Sequence, residues 1–146
     1  PLIAQSHYGA HKAAVEAFVH AFARADGLEI CALRPTGIYG PEVPLNQSKW
    51  YDLIQAIAQG HDVRCSRGGK EVHVDDVAKS IELLLTTNQP VRGEVFACYD
   101  RYISEYDVAS ITKSLTGSLS TIHGGPLQPK HQIIADKIKS YGMVFG

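Results

Sequence analysis

The chain has 146 residues, the length of one domain, and its 45% apolar content is that of an ordinary globular protein. Lys and Arg (14) nearly balance Asp and Glu (15) without a basic or acidic block, which argues against a nucleic-acid or membrane-surface partner. No apolar run is long enough to span a bilayer, and no signal sequence opens the chain, so we expect a cytoplasmic protein.

The ends and the cysteines add two further expectations. The chain begins with Pro1, and Met143 is its only methionine, so we expect a piece of a longer protein. Cys31, Cys65 and Cys98 are odd in number and widely spaced, which is typical of buried thiols in a reducing compartment.

The first third of the chain predicts a helix, a strand and a loop. Apolar residues at helical spacing predict a helix over residues 8–25, with Gly27 as its stop signal. The apolar run at 29–33 predicts a strand that is buried on both faces. The Gly- and Pro-rich segment 34–41 is expected to be a loop at the carboxyl end of that strand, where ligands bind in open α/β sheets.

The rest of the chain alternates short helix and strand patterns. Ser48 is expected to cap a helix that ends at Gly60, and Asp75 or Asp76 is expected to cap the next helix. Ser104 precedes a third predicted helix. The other predicted elements are strands at 62–66, 72–74, 94–98 and 120–123, helices at 105–115 and 136–141, a turn at 88–93 and a loop at 124–129. This alternation predicts an α/β fold. Only the strands at 29–33 and 94–98 have the composition of the interior of a doubly wound sheet, and no glycine-rich phosphate loop occurs.

Tyr8 and Lys12 are the candidate catalytic residues. They are four residues apart, so they share one helix face. A positive charge on Lys12 would favour the phenolate form of Tyr8, which makes this phenol a candidate general acid and base. Taken alone, a Tyr and a Lys one turn apart are more often a packing pair at the surface.

Two other patterns admit a structural and a functional interpretation. His7 and His11 are one turn apart and could bind a metal, but no third ligand is evident, so we predict exposed histidines and no metal site. Trp50 and Tyr51 are expected either in the core or as one wall of a substrate pocket.

Three segments in series resemble signatures of the extended short-chain dehydrogenase/reductase family, the NAD(P)-dependent epimerases and dehydratases. They read YGAHK at 8–12, LRPTGIYGP at 33–41 and VHVDDVA at 72–78, and the tail from Pro129 to Gly142 is also similar. The resemblance implies the C-terminal part of a doubly wound, Rossmann-like parallel sheet plus a small α/β substrate-binding region. Residues 1–41 would hold the catalytic helix, the buried strand and the nicotinamide-side loop. Residues 42–146 would be mainly substrate-binding, with one more Rossmann-type strand near 94–98.

The resemblance also implies roles for single residues. Tyr8 would move a proton on or off a substrate hydroxyl while nicotinamide exchanges a hydride, and Lys12 would also hold the cofactor ribose. Pro35, Thr36 and Ile38 would lie against the nicotinamide, and Pro35 would also end sheet pairing there because it has no N–H. The Ser or Thr that orients the substrate in this family would fall before Pro1.

The sequence departs from the nucleotide-sugar members of that family at several positions. His11 stands where many members have Ser. Gly37 stands where they typically carry Asn, and Gly69 and Glu71 stand where they often have Arg and an aromatic residue. These departures argue against a nucleotide-sugar substrate, although Arg67 or Lys70 could supply a displaced cation. Gly37, Trp50, Arg67 and Lys70 are therefore the candidate substrate-binding residues.

Two functions from different classes remain open. The chain is either part of an NAD(P)-dependent epimerase, dehydratase or reductase that acts on a sugar-like or other hydroxyl or carbonyl compound, or a noncatalytic relative that serves in dimerisation or small-ligand binding. In both cases we expect that the isolated chain binds neither NAD nor NADP tightly and has no activity. We also expect a homodimer or a swapped assembly, because the strand at 29–33 would leave an unpaired apolar edge.

Overall fold

The computed structural model describes residues 4–146, and these residues form five α-helices, seven β-strands and one short 3-10 turn. The helices are α1 (His7–Ala25), α2 (Tyr51–Ala58), α3 (Val74–Thr86), α4 (Glu105–Thr116) and α5 (Asp136–Ser140). The strands are β1 (Ala32–Pro35), β2 (Gly37–Tyr39), β3 (Val63–Cys65), β4 (Gly68–His73), β5 (Val95–Cys98), β6 (Arg101–Ser104) and β7 (Ile122–Gly124), and the 3-10 turn is Leu45–Gln47.

The strands form three small sheets. Strand β1 pairs in parallel with β5, β3 pairs in parallel with β7, and β4 lies between a parallel β2 and an antiparallel β6. Parallel strands joined through helices confirm the predicted α/β class. The division of the chain at residue 41 stays a prediction.

The two strands predicted for a sheet interior pair with each other, but one of them differs from expectation. Strand β1 begins at Ala32 and includes Pro35, so the strand predicted at 29–33 is shifted. It is not buried on both faces, because Ala32 and Leu33 are half-buried and Arg34 is exposed. Pro35 does not interrupt pairing: Ala32 donates its N–H to Glu94 and Thr36 its N–H to Cys98, so the nitrogen of Pro35 faces the other edge.

Helix α1 confirms the strongest periodic pattern of the sequence. Ser6 caps it, since its side-chain oxygen accepts the backbone N–H of Gly9 at 3.1 Å. Val19 and Ala23 are buried. Glu16 binds Arg34 of β1 with both carboxylate oxygens, which fixes the helix beside the β1–β5 pair.

The segment predicted as a loop over 34–41 contains the strand β2. Its Gly and Pro content is typical of loops, but residues 37–39 pair with Glu71, Val72 and His73 of β4. Strand β4 is also longer than the predicted segment 72–74, because its glycines at 68 and 69 pair with β6. The sequence analysis did not predict β6, whose residues 101–104 lack the apolar composition of a buried strand.

Two predicted helix caps are wrong. Ser48 does not cap α2. Its hydroxyl accepts the backbone N–H of Glu42 at 2.8 Å, and the helix begins at Tyr51, directly after Trp50. Helix α3 begins at Val74, so its first turn already contains both aspartates that were expected as caps. His73 is the cap, and its Nδ1 accepts the N–H of Asp75 at 3.2 Å.

The later elements follow the sequence prediction closely. Ser104 caps α4 in a reciprocal capping box with Asp107, whose carboxylate accepts the N–H of Ser104 at 3.0 Å. Helix α5 and strand β7 lie within a residue or two of their predicted positions.

Two apolar clusters hold these elements together. The first packs α3, β5 and the C-terminal segment through Leu84, Phe96, Ala135, Ile138 and Met143. The second packs α2, β3 and α4 through Ile57, Cys65 and Ala109. Among residues 4–146, no helix combines the length and apolarity that a membrane crossing requires.

Candidate functional site

A cavity of about 880 Å³ lies between α2, α4 and the segment that follows β2. Its walls are mostly apolar and aromatic, as in pockets that bind small molecules. The lining includes Tyr39, Trp50, Tyr51, Ile54, Tyr102 and Ile111. Trp50 and Tyr51, which the sequence left open as core or pocket residues, therefore line a cavity.

A second cavity of about 310 Å³ adjoins the first. The two share Lys49, Trp50 and Ile103 in their walls. The smaller cavity is polar: two cations, Lys49 and Arg67, face two carboxylates, Glu71 and Glu105. One ligand could therefore place an apolar part in the larger cavity and a polar part in the smaller one.

Trp50 has an unusual backbone conformation at the boundary between the two cavities. Its φ is 65°, in the left-handed region that bulky residues rarely adopt. Its ring centroid lies 5.5 Å from that of Tyr39, and Nζ of Lys49 lies 5.1 Å from its ring centroid. These contacts fix the indole where it lines both cavities.

Glu71 is the most deeply buried charged residue of the smaller cavity. It is only 3% exposed, and its Oε2 lies 2.5 Å from Nζ of Lys49. A buried carboxylate needs such a partner because its desolvation is costly. The sequence analysis did not select Lys49, and it noted Glu71 only as a departure from the family pattern.

Gly37 and Gly69 both border the carboxylate of Glu71. A Cβ added at Gly37 would overlap Oε2 of Glu71 and lie 2.9 Å from Nζ of Lys49. A Cβ added at Gly69 would overlap Oε1 of Glu71. The three departures from the family pattern at positions 37, 69 and 71 are thus one packing unit, completed by Lys49.

Two side chains that line the larger cavity, Tyr39 and Arg101, have raised pKa values. Burial raises the pKa of Tyr39, whose ring also packs edge-on against His73 at 5.1 Å. A hydrogen bond to the Asp100 carboxylate raises the pKa of Arg101, so this guanidinium is already paired.

The three cysteines have the character of inert thiols. Cys65 and Cys98 are buried and Cys31 is half-buried, so the expectation of buried thiols holds for two of the three. Burial raises the pKa of all three thiols, which disfavours the nucleophilic thiolate.

Tyr8 and Lys12 lie one above the other on the exposed face of α1. Nζ of Lys12 is 5.3 Å from the centroid of the Tyr8 ring, and Tyr8 is 72% exposed. His7 and His11 are also exposed. Within residues 4–146, no group of three His, Cys, Asp or Glu side chains has the arrangement of a metal site.

The other residues matched to the cofactor lie at the end of β1 and along the segment that leads into β2. Pro35 ends that strand, the hydroxyl of Thr36 donates to the carbonyl of Cys98 at 3.4 Å, and Ile38 is exposed on β2. Neither these three residues nor Tyr8 and Lys12 are among those that line the two cavities.

The two candidate substrate-binding cations, Arg67 and Lys70, line different cavities. Arg67 and Trp50 line the smaller cavity. Lys70, which is next to Glu71 along β4, lines a different depression together with Leu127 and His131. Of the two, only Arg67 is positioned beside Trp50 and Glu71.

The exposed face of α1 carries the two residues that the resemblance assigns to one end of a nicotinamide dinucleotide. The exposed phenol of Tyr8 and the ammonium of Lys12 offer hydrogen-bonding groups suited to a ribose and to a reacting oxygen. The 146 residues contain no glycine-rich strand-to-helix loop that would hold the diphosphate.

Comparison with protein families identifies the chain. Residues 1–98 match the model of the NAD dependent epimerase/dehydratase family, and the chain therefore belongs to this family. Comparison with curated protein sequences yields no match.

Solved structures of this kind share the fold. UDP-glucuronic acid 4-epimerase from Bacillus cereus, in complex with UDP-glucuronic acid and NAD, is 21% identical in sequence with a TM-score of 0.72. The match covers 95% of this chain and 47% of the epimerase chain. UDP-glucose 4-epimerase from Thermotoga maritima, with UDP-glucose, is 23% identical with a TM-score of 0.70, over 94% and 48%. dTDP-glucose 4,6-dehydratase from Streptomyces venezuelae, with NAD and TYD bound, is 19% identical with a TM-score of 0.68, over 100% and 48%.

The chain spans about half the length of these structures. It matches the C-terminal half of their Rossmann-like fold, as the sequence resemblance predicted. The glycine-rich loop absent from the 146 residues belongs to the other half of that fold by the same resemblance.

Proposed function

We propose that this chain supplies the proton-transfer pair and the substrate cavity of an NAD(P)-dependent epimerase, dehydratase or reductase. Residues 1–41 would provide the nicotinamide side of the site and residues 42–146 the substrate side. The substrate would be a small sugar-like or other hydroxyl or carbonyl compound. Membership of the NAD dependent epimerase/dehydratase family, and the NAD named with two of the similar structures, support this proposal.

The observation that carries the proposal is the geometry of Tyr8 and Lys12. The ammonium of Lys12 lies one helical turn from the phenol, over its ring. This arrangement presents a phenol and an ammonium on one face of α1, where Tyr8 would accept a proton from a substrate hydroxyl and return it. Because Tyr8 is exposed on α1, its hydroxyl is accessible to another part of the protein or to a substrate.

The remaining residues would have supporting roles. A bound NAD(P) would supply hydride transfer at the carbon whose oxygen Tyr8 protonates or deprotonates. Pro35, Thr36 and Ile38 would form the surface against which the nicotinamide rests. Trp50 and Arg67 would contact the substrate, and Gly37 would leave room for the Glu71 carboxylate rather than touch the substrate itself.

Replacement of Tyr8 tests the proposal in the natural protein that carries this sequence. Formation of NADH or NADPH would be followed at 340 nm with a panel of uncharged and nucleotide-linked alcohols. We expect Tyr8→Phe to lower kcat about 10²- to 10⁴-fold, the usual contribution of a general acid or base. Tyr141→Phe, which removes a phenol that donates to the carbonyl of Pro90 on another face, is the matched control. An unchanged kcat in Tyr8→Phe would refute the assignment.

The 146-residue chain by itself is expected to bind neither NAD nor NADP tightly. The diphosphate gains most of its binding from a helix N-terminus behind a glycine-rich loop, which these residues do not contain. Isothermal calorimetry with NAD tests this directly. A micromolar dissociation constant would contradict the expectation.

A noncatalytic ligand-binding module is the second candidate. One observation favours it: residues of the segment 39–116 form both cavities, without any of the five residues matched to the cofactor. A ligand could therefore bind independently of the dinucleotide. Ligand binding by a natural protein that neither binds NAD(P) nor transfers hydride would favour this function over the enzyme.

A further inference from the structure

The carboxylate of Glu71 has one oxygen available to a ligand. Its Oε2 is bound to Lys49, whereas Oε1 accepts no hydrogen bond from any residue between 4 and 146. In the same part of the chain, every fully buried side-chain oxygen has a partner. Oε1 is therefore accessible to solvent, and Glu71 lines the smaller cavity, although only 3% of the residue is exposed.

The surroundings keep this oxygen in place. Gly37 and Gly69 leave the space that the carboxylate fills, since a Cβ at either position would overlap it. Lys49 binds the opposite oxygen and its Nζ also lies over the Trp50 ring. An acceptor held in this way in a cavity can recognise a donor without rearrangement.

The charges of the cavity favour an uncharged ligand. Lys49 and Arg67 are balanced by Glu71 and Glu105, so the four charges sum to zero. The carboxylate of Glu105 is bound to the backbone N–H groups of Ser66 and Arg67, each at 3.1 Å. A diphosphate would meet two carboxylates here and no excess of positive charge.

We propose that the two joined cavities bind an uncharged molecule with an apolar ring body and a hydroxyl group, and not a nucleoside diphosphate sugar. The hydroxyl donates to Oε1 of Glu71 in the smaller cavity. The ring body packs on Trp50 and extends into the larger, apolar cavity. This inference refines the substrate class of the proposed function and rests on it only in treating the cavity as the substrate site.

The single tryptophan of the chain makes the test specific. Trp50 is the only tryptophan in 146 residues, so its fluorescence reports ligand at this site alone. The probes are borneol, a bicyclic alcohol, camphor, the ketone of the same skeleton, and UDP-glucose. We expect borneol to change the Trp50 emission and to bind at least about tenfold more tightly than camphor, because camphor leaves the buried carboxylate without a donor. UDP-glucose is expected to leave the emission unchanged at concentrations where borneol saturates.

Two variants locate the preference at Glu71. Glu71→Gln keeps the side-chain volume between the glycines but adds an amide donor, so we expect the preference for borneol over camphor to fall below about threefold. Glu82→Gln, at an exposed position on α3 outside both cavities, is the matched control and is expected to keep the full preference. Circular dichroism verifies that each variant is folded, and the comparison of borneol with camphor on the unaltered chain stands without them.

Three results of these binding measurements would contradict the inference. Equal binding of borneol and camphor, tighter binding of UDP-glucose than of borneol, or no change of the Trp50 emission with any probe would each refute it. None of these results involves Tyr8 or NAD. A failure here would therefore leave the proton-transfer assignment intact, and a failure of the Tyr8→Phe test would leave this binding site intact.

Discussion

The ammonium nitrogen of Lys49 lies 2.5 Å from Oε2 of Glu71 and joins the segment before α2 to the middle of β4. Twenty-two residues separate the two in sequence. Their pairing explains why Gly37, Gly69 and Glu71 occur together: the carboxylate takes the space that the glycines leave, and the lysine balances its charge.

Loss of Lys49 should destabilise the protein. Lys49→Met leaves the Glu71 carboxylate buried without a counter-charge, and we expect a loss of about 2 to 3 kcal/mol in the free energy of unfolding. This is somewhat less than for a fully buried pair, because the side chain of Lys49 is 35% exposed. The measurement is urea denaturation. The double change of Lys49 and Glu71 to Met should recover most of the loss, and Arg92→Met, which breaks an exposed pair with Glu29, should cost at most about 1 kcal/mol.

Acid should remove a stabilising contribution of Asp62. The backbone N–H of Thr121 donates to this carboxylate at 2.6 Å and lowers its pKa from the usual value. A lowered native pKa means that the contribution is complete above about pH 4, near the value of the unfolded chain, and is lost as the pH falls through the native value. We expect Asp62→Asn to have a lower Tm than the unaltered chain at pH 7 and a much smaller difference near pH 2.5. Asp26→Asn is the control, and a difference in Tm that stays constant across this range would contradict the prediction.

Phe96 should be essential for the first apolar cluster. Its side chain is fully buried in β5, and its ring meets that of Tyr141 edge-on at 4.9 Å. Truncation to Ala leaves a cavity, and we expect a loss of about 3 to 5 kcal/mol in the free energy of unfolding by urea denaturation. Leu85→Ala, at an exposed position on α3, should change it by less than about 0.5 kcal/mol. Comparable losses in the two variants would show that the cluster does not dominate stability.

Self-association should depend on the exposed apolar face of α1. Val15, Phe18 and Phe22 are exposed on this helix, and within residues 4–146 the edge of β1 opposite β5 pairs with no strand. We predict that the chain forms dimers or larger assemblies and that Phe18→Glu shifts it toward monomer in light scattering. Leu119→Glu, at an exposed residue outside α1, should leave the ratio of monomer to dimer unchanged. A monomer at high concentration before any substitution would refute this prediction.

Sequence patterns predicted the elements whose signals are local. The apolar period of α1, the helical segment that follows Ser104 and the β-rich composition at 94–98 are each local signals, and all three elements are present. Patterns failed where pairing overrides propensity. Strand β4 contains two glycines and β2 follows a proline, and both are strands because a neighbouring strand supplies hydrogen-bond partners.

The sequence by itself determined the family, the α/β class and the placement of Tyr8 and Lys12 one turn apart, because these depend on short segments and on helical periodicity. Only the tertiary structure decided that Gly37, Lys49, Gly69 and Glu71 form one unit beside Trp50. Those residues lie on β2, on β4 and ahead of α2, and no pattern in the sequence relates them. Their relationship is one of space and charge: a carboxylate that enters a sheet needs room without a Cβ and a cation within hydrogen-bonding distance.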